Sequence, residues 1–422
     1  MIRKTEAWLS KLLGLNIRTF MHDGFWAASP LILEAIMATL LMIVMTNFLT
    51  PEVFGAYKFF WAIILMASLT SLPSMNVAML QSTSNGFEMF GRTIRYKFIS
   101  SFIGSLGLLL TAAYLHFFKD SSLAVYFVVA AIIFPLLFSF KGAYVYLFGK
   151  GSYKKGGLLE FLRIIIKFVP IMVVVIFIHN LGLVIIIDML LLVLANVIPY
   201  LLIVKKIPSG PFDKHMFKYG LNLSIMSITP LIAANLDKII IAAALTFRAN
   251  ATWAVAFGIG AFLNELKVPL SNVFVPRFTK NAAEAYHWIK DKTFVLLGVG
   301  VVIAGIGALI TPVFINLLFP ASYGTSIKLA QYLFLALSPF ILNEAQASWL
   351  VSQKTTKSLY KLITFSHGLT IILYAILIPL KGLTGGVISI AASTIFYTIF
   401  SRYLMNKEAR VCEHYPHITC LL

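Results

Sequence analysis

Apolar stretches of twenty or more residues recur along the whole chain, separated only by short polar connectors. A run of that length crosses the roughly 30 Å hydrocarbon core of a bilayer as one helix. Inside that core only helices and closed barrels satisfy their own backbone groups. Splitting the sequence at its connectors predicts twelve spans, near 25–49, 57–73, 96–116, 122–148, 158–178, 181–204, 219–246, 251–276, 293–316, 326–352, 358–379 and 383–404. The fold class that follows is an all-α polytopic membrane protein. Charged residues make up 12% of the 422, against about 25% in soluble domains.

The net charge of +18 would suit a nucleic-acid partner if a polar domain gathered it, but no such domain exists and none is expected to bind. Of the 34 basic residues, twenty-four fall in connectors on the side of the N-terminus, five on the opposite side and five inside spans. That asymmetry is the positive-inside signal of a topology with both termini in the cytoplasm. Residues 1–24 are predicted as a cytoplasmic amphipathic segment, 25–204 as a first bundle of six spans and 205–218 as a cytoplasmic linker. Residues 219–404 form the second bundle and 405–422 the cytoplasmic tail. No cleavable signal peptide is expected, because the first apolar run is too long and no small-residue cleavage site follows it. The cysteines, Cys412 and Cys420, lie in the tail with His414 and His417 at a spacing that fits no zinc pattern, so neither metal nor disulfide is expected. No phosphate-binding loop appears, which argues against a nucleotide cofactor.

Four stretches carry a family resemblance. NFLTPEVFGAYKFFWAI (47–63) has Pro51, Gly55 and Tyr57 at a first outer turn, and NLDKIII (235–241) supplies the acidic–basic pair Asp237 and Lys238. Residues 251–280 end in Pro276 before a basic loop, and INLLFPASYGTSIKLAQYL (315–333) places Phe319 and Tyr323 around a small-residue turn. Together they resemble bacterial polysaccharide exporters, the O-antigen flippases among them, in the superfamily that also holds the multidrug and toxic-compound extruders. Trp253 departs from the tyrosine usual there, and Lys267 is an added charge. The resemblance implies two six-helix bundles in a multidrug-extruder-like fold, working by alternating access in the bacterial inner membrane. It implies an undecaprenyl-diphosphate-linked oligosaccharide as substrate and a proton or sodium gradient as drive. Partners would be membrane lipids, a polysaccharide polymerase and a chain-length regulator. A drug or cation extruder is the alternative within the superfamily. A membrane glycosyltransferase or polymerase is a third reading, disfavoured by short outer connectors that leave no room for a catalytic domain.

Charges inside the spans mark the candidate site. LLEFLRIIIKFVP (158–170) sets Glu160, Arg163 and Lys167 on one helix face at spacings of three and four. A charge at the centre of a span costs about 3 kcal/mol on insertion scales, so that face must meet something polar. At about 1.5 Å per residue, Glu34, Lys141, Arg163, Lys167, Lys267 and Glu344 lie about 8–14 Å in from the cytoplasmic ends of their spans. Asp188, Asp237 and Lys238 lie nearer the outer face.

The band can be neutralised in pairs (Glu34–Lys167, Glu160–Arg163, Glu344–Lys267), or its basic members can line a cavity that receives a diphosphate. Glu160 is placed at the interface, and the buried basic residues then outnumber the carboxylates. This favours Arg163, Lys167, Lys141, Lys267 and Lys238 as substrate ligands. Asp237, Glu34 and Glu344 are the candidates for ion coupling, since a desolvated carboxylate can bind a proton or cation reversibly. Tyr57, Trp61, Trp253 and Trp349 are candidates to stack on sugar rings.

Overall fold

The computed structural model describes residues 17–119, 122–205, 207, 210–353 and 355–414. Most of the amphipathic segment expected at 1–24 and the end of the tail therefore lie outside the described residues. Among those described, nine helices are long and apolar enough to cross a membrane, and the pair Ser326–Ala336 and Phe340–Ser352, bent by 44°, passes the same test when taken together. Of the two remaining expected spans, one is the helix Tyr153–Phe177 with Glu160, Arg163 and Lys167, and the other is broken into the helix Phe247–Gly260, a 3-10 segment Ala261–Leu266 that holds Glu265, and the helix Lys267–Lys280. Phe177 and Leu309 are 78% exposed and Phe294 85%. Apolar side chains turned outward on this scale suit a lipid solvent and not water.

The chain divides into two compact units. The first holds the described residues up to Phe48 together with Ile64–Ser227. Its helices are α1 (Ile17–Phe48), the end of α2 (Pro51–Ala67), α3 (Met75–Ser84), α4 (Phe90–Lys119), α5 (Leu123–Ser139), α6 (Ala143–Gly149), α7 (Tyr153–Phe177), α8 (Leu181–Val204) and α9 (Met216–Met226). The fourth span is not continuous. It breaks between α5 and α6 at Phe140–Gly142, where Gly142 takes φ +156°, a backbone state that other residues rarely adopt.

A break inside a membrane strands backbone groups that no water can satisfy. Here the Lys141 carbonyl accepts from Lys97 Nζ at 2.9 Å and from Asn76 Nδ2 at 3.1 Å. Lys97 also donates to Asn76 Oδ1 at 3.2 Å. Lys97, counted from sequence among the cytoplasmic connector charges, is only 2% exposed. Its amine is fixed to the break.

The connector after α8 is fastened to the same unit. Glu88 N donates to the Pro211 carbonyl at 2.8 Å, Ser82 Oγ to Asp213 Oδ2 at 2.7 Å, and the Arg92 guanidinium lies 4.0 Å from the Phe212 ring centre. Met216 then enters a core with Met75, Met79, Phe90 and Tyr146. The Ser82 hydroxyl and the His215 amide hold the Asp213 carboxyl below its usual range. A lowered carboxyl contributes stability that is present above its unfolded value, about 3.9, and lost as pH falls through the folded one. The attachment is therefore expected to hold at neutral pH and to loosen only in acid, as amide exchange of residues 210–215 measured against pH would record.

The second unit comprises Leu49–Ile63 and Ile228–Leu422. It contains α10 (Ile228–Ala244), α11 (Phe247–Gly260), α12 (Lys267–Lys280), α13 (Ala282–Asp291), α14 (Thr293–Leu318), α15 (Ser326–Ala336), α16 (Phe340–Ser352), α17 (Thr356–Lys381) and α18 (Leu383–His414). The first part of α2 packs on α11 at backbone distance. A Cβ on Gly55 would stand 1.7 Å from the Phe247 carbonyl oxygen, and Asn250 Nδ2 donates to the Gly55 carbonyl at 2.9 Å. Only glycine permits that approach.

Candidate functional site

In the first unit the charged face of α7 is closed by α1 and α8. Arg163 Nη2 stands 2.9 Å from Glu34 Oε1 on α1 and 2.7 Å from Glu160 Oε1 one turn back on α7. These are ion pairs and not aligned hydrogen bonds. The helices come close because Gly157 faces the Trp26 carbonyl oxygen, 2.7 Å from where a Cβ would sit. Glu160 is 3% exposed, enclosed within the unit. The pair Glu34–Lys167 is replaced by Glu34–Arg163, while Glu160–Arg163 is present as expected.

Two lysines complete this cluster. Lys141, in the turn between α5 and α6, lies within electrostatic reach of Glu34, Glu160 and Arg163. Lys167 lies within reach of Asp188 and Glu34, with its Nζ 4.4 Å from the centre of the Phe168 ring. Both are half-buried, whereas Arg163 is 3% exposed. The count of charges changes accordingly. Lys141, Arg163 and Lys167 face Glu34, Glu160 and Asp188, three against three, and Lys97 adds one cation at the helix break. Sequence reasoning overlooked Lys97, and the only hint was a lysine set in the opening turn of an apolar run.

The second unit holds the other candidates in two pairs. Asp237 is 1% exposed and accepts from Trp253 Nε1 at 2.7 Å and from Lys238 Nζ at 3.0 Å. Lys238 Nζ also donates to the Ala234 carbonyl at 2.7 Å and lies 5.2 Å from the Phe257 ring centre. Trp253 is fully buried, and a Cβ on Gly386 would come within 2.8 Å of its ring. Trp349 is 2% exposed and donates to the Ala282 carbonyl at 2.9 Å. Neither indole face is open to a sugar. Glu344 Oε1 accepts from Ser348 Oγ at 3.1 Å, with Ser271 Oγ 3.5 Å beyond and Lys267 within electrostatic reach. It makes no ion pair among the described residues.

A hydrogen bond to a charged group contributes about 1.5–3 kcal/mol, so Trp253→Phe is expected to destabilise the second unit by that order. The check is its unfolding midpoint in detergent, with Trp253→Tyr also lowered, because a phenol does not place its donor where the indole N–H stands.

No grouping of histidine, cysteine or carboxylate side chains that could hold a metal occurs among the described residues. Each unit, taken by itself, holds buried basic side chains that can meet an anion and carboxylates that can take up a cation. Residues 20–282 match the model of a family described as polysaccharide biosynthesis protein. Among curated proteins there is no match. Among solved structures the chain is similar to an inward-facing multidrug resistance MATE family transporter of the MOP superfamily, with TM-score 0.62 and 14% identity over 90% of this chain and 96% of that one. An outward-facing MATE transporter gives 0.61 and 13%, over 93% and 96%. The lipid II flippase MurJ in an inward closed conformation gives 0.58 and 14%, over 90% and 87%. At these identities the likeness carries the fold.

Proposed function

The chain belongs to the polysaccharide biosynthesis protein family, and we propose that it is a flippase for a lipid-linked oligosaccharide. The substrate is undecaprenyl diphosphate carrying one repeat unit, most consistent with O-antigen, moved from the cytoplasmic to the outer leaflet of the bacterial inner membrane. The observation that carries this reading is the family match over 20–282 joined to cations inside the first unit that an anionic headgroup can use. Lys141 and Lys167 are the principal ligands, being half-buried and lacking the close double carboxylate contact of Arg163. Lys267, within the second unit, is a separate candidate ligand. Lys238 is a weaker ligand, because Asp237 already holds it.

The likeness to multidrug transporters keeps a drug extruder as the second reading. A cationic drug would meet in Lys141, Arg163 and Lys167 as many positive charges as negative ones. A deletion strain separates the two: loss of long-chain surface polysaccharide, restored by the gene on a plasmid, supports the flippase. Unchanged polysaccharide together with drug sensitivity supports the extruder.

Coupling to a proton or sodium gradient is assigned to carboxylates. Of Asp237, Glu34 and Glu344, the first two are held by Lys238 and Arg163, which leaves Glu344 the freest to exchange a cation. Glu344→Gln is expected to remove the gradient-driven part of transport in reconstituted vesicles and to leave downhill exchange. Equal loss of both would return Glu344 to a structural role.

A further inference from the structure

The helix α17 carries a histidine that neither the charge band nor the carboxylate pairs use. His367 stands eleven residues beyond Thr356, the start of α17, which is about 17 Å along the axis and near the middle of the span. An ionisable side chain at that depth is rare and marks a functional position by default. The ring is half-buried, and its Nδ1 lies 2.8 Å from the Ile363 carbonyl oxygen one turn back. A carbonyl only accepts, so Nδ1 carries the hydrogen and Nε2 keeps a lone pair. Nε2 has no hydrogen-bond partner among the described residues. The anchored ring is thus a base held inside the second unit.

The charged and titratable groups around it come from four helices. Lys267 on α12 lies within electrostatic reach of the imidazole. Glu344 on α16 lies within reach of Lys267, and Tyr397 on α18 within reach of Glu344. On α10, Asp237 lies within reach of Tyr374, seven residues further along α17, and is already held by Lys238 and Trp253. On α17 itself Lys357, Tyr360 and Lys361 are exposed.

We propose that His367 is a proton-binding site of the second unit, taking up one proton at Nε2 beside Lys267 and Glu344, and that the ion driving the chain is a proton. The Nε2 lone pair forms the new N–H bond and the ring becomes imidazolium, with Nδ1–H still on Ile363. Loss of the same proton restores the neutral ring. The chemistry selects the ion. An imidazole ordinarily titrates near pH 6.5, so small changes around it load and unload a proton. A sodium ion would meet a ring nitrogen and a lysine amine, whereas hard cations are held by oxygen ligands. Lys267 and Glu344 carry opposite charges, so the three side chains together are neutral before the proton arrives and singly positive after. A membrane potential acts on that difference. The drive rests on gradient-coupled transport by this chain, and the proton site does not.

Magnetic resonance of isotope-labelled histidine ring nitrogens, in the full-length protein in lipid nanodiscs, tests the site. The His367 signals are identified by their loss in His367→Gln or by their displacement in Lys267→Gln, so one variant that fails to fold leaves the other. Nδ1 is expected to carry hydrogen throughout, and Nε2 to pass from bare to protonated within about two pH units of the ordinary imidazole value. An Nε2 that keeps one state across that range, or a neutral ring with its hydrogen on Nε2, overturns the proposal. In vesicles holding the labelled lipid-linked oligosaccharide, an imposed pH gradient is expected to accelerate transport by the wild type, and a sodium gradient to leave it unchanged. His367→Gln is expected to lose that acceleration and to keep downhill exchange. Acceleration by sodium alone, or full acceleration of His367→Gln by the pH gradient, overturns the proton drive. Wild-type vesicles that move no oligosaccharide under either gradient overturn the flippase reading instead, and the nitrogen signals still decide the proton site.

Discussion

Arg163→Ala is expected to destabilise the first unit by about 3–5 kcal/mol, the usual cost of removing one partner from a buried ion pair, and to lower the yield of folded protein. The reason lies in what the substitution leaves behind. Glu160, at 3% exposure, and Glu34 both lose the guanidinium at 2.7–2.9 Å, and the buried Glu160 gains no water in exchange. Lys141 is the nearest remaining cation, but one ammonium cannot reproduce contacts to carboxylates on two helices.

The compensated variant discriminates between a structural and a substrate role. Combining Arg163→Ala with Glu34→Gln and Glu160→Gln removes the stranded charges and is expected to restore most of the unfolding midpoint, measured by thermal denaturation in detergent. If Arg163→Ala alone keeps the wild-type midpoint and abolishes export, the guanidinium is a substrate ligand and the clamp contributes nothing. The expectation thus differs for the three basic residues: stability for Arg163, transport for Lys141 and Lys167.

Much of this was legible in the sequence, for physical reasons. A bilayer demands long apolar runs, and the spans stand out because nothing soluble needs them. Helical spacing alone put Glu160, Arg163 and Lys167 on one face, and the structure confirms that Arg163 takes Glu160 as a partner.

What failed was pairing across helices. Depth counted along ideal helices set Glu34 level with Lys167, yet the close contact of Gly157 with Trp26 and the long reach of an arginine join Glu34 to Arg163 instead. Lys97 was missed because Arg92 and Arg95 stand just before it in a basic stretch, where a third cation reads as more of the same. Its carbonyl partner exists only because the chain breaks at Gly142, at the end of the next helix. The chain passes between the two units three times, and two of these passages, at Ile63–Ile64 and Ser227–Ile228, fall within apolar runs where no change of composition marks them.

The double variant Lys141→Gln, Lys167→Gln is expected to reduce transport of the diphosphate-linked oligosaccharide by at least about 100-fold while the protein inserts and folds. A charge-assisted hydrogen bond contributes about 1.5–3 kcal/mol, and each 1.4 kcal/mol is a factor of ten, so losing two gives that order or more. Folding is expected to survive because the clamp of Arg163 on Glu34 and Glu160 is untouched and glutamine keeps most of the lysine stem. Glu34 and Glu160 keep Arg163, whereas Asp188 loses Lys167, which lies within its reach, and adding Asp188→Asn removes that cost without restoring a cation. Transport is read by reconstituting the purified variants into vesicles with the labelled lipid-linked oligosaccharide and following its accessibility in the outer leaflet. The single variants should each fall part of the way, because two point charges on one diphosphate act in parallel. Lys141→Arg and Lys167→Arg should retain activity, since a guanidinium still bonds phosphate oxygens. Transport by the double variant at the wild-type rate would remove the lysines from the substrate path and leave the cluster as internal neutralisation alone.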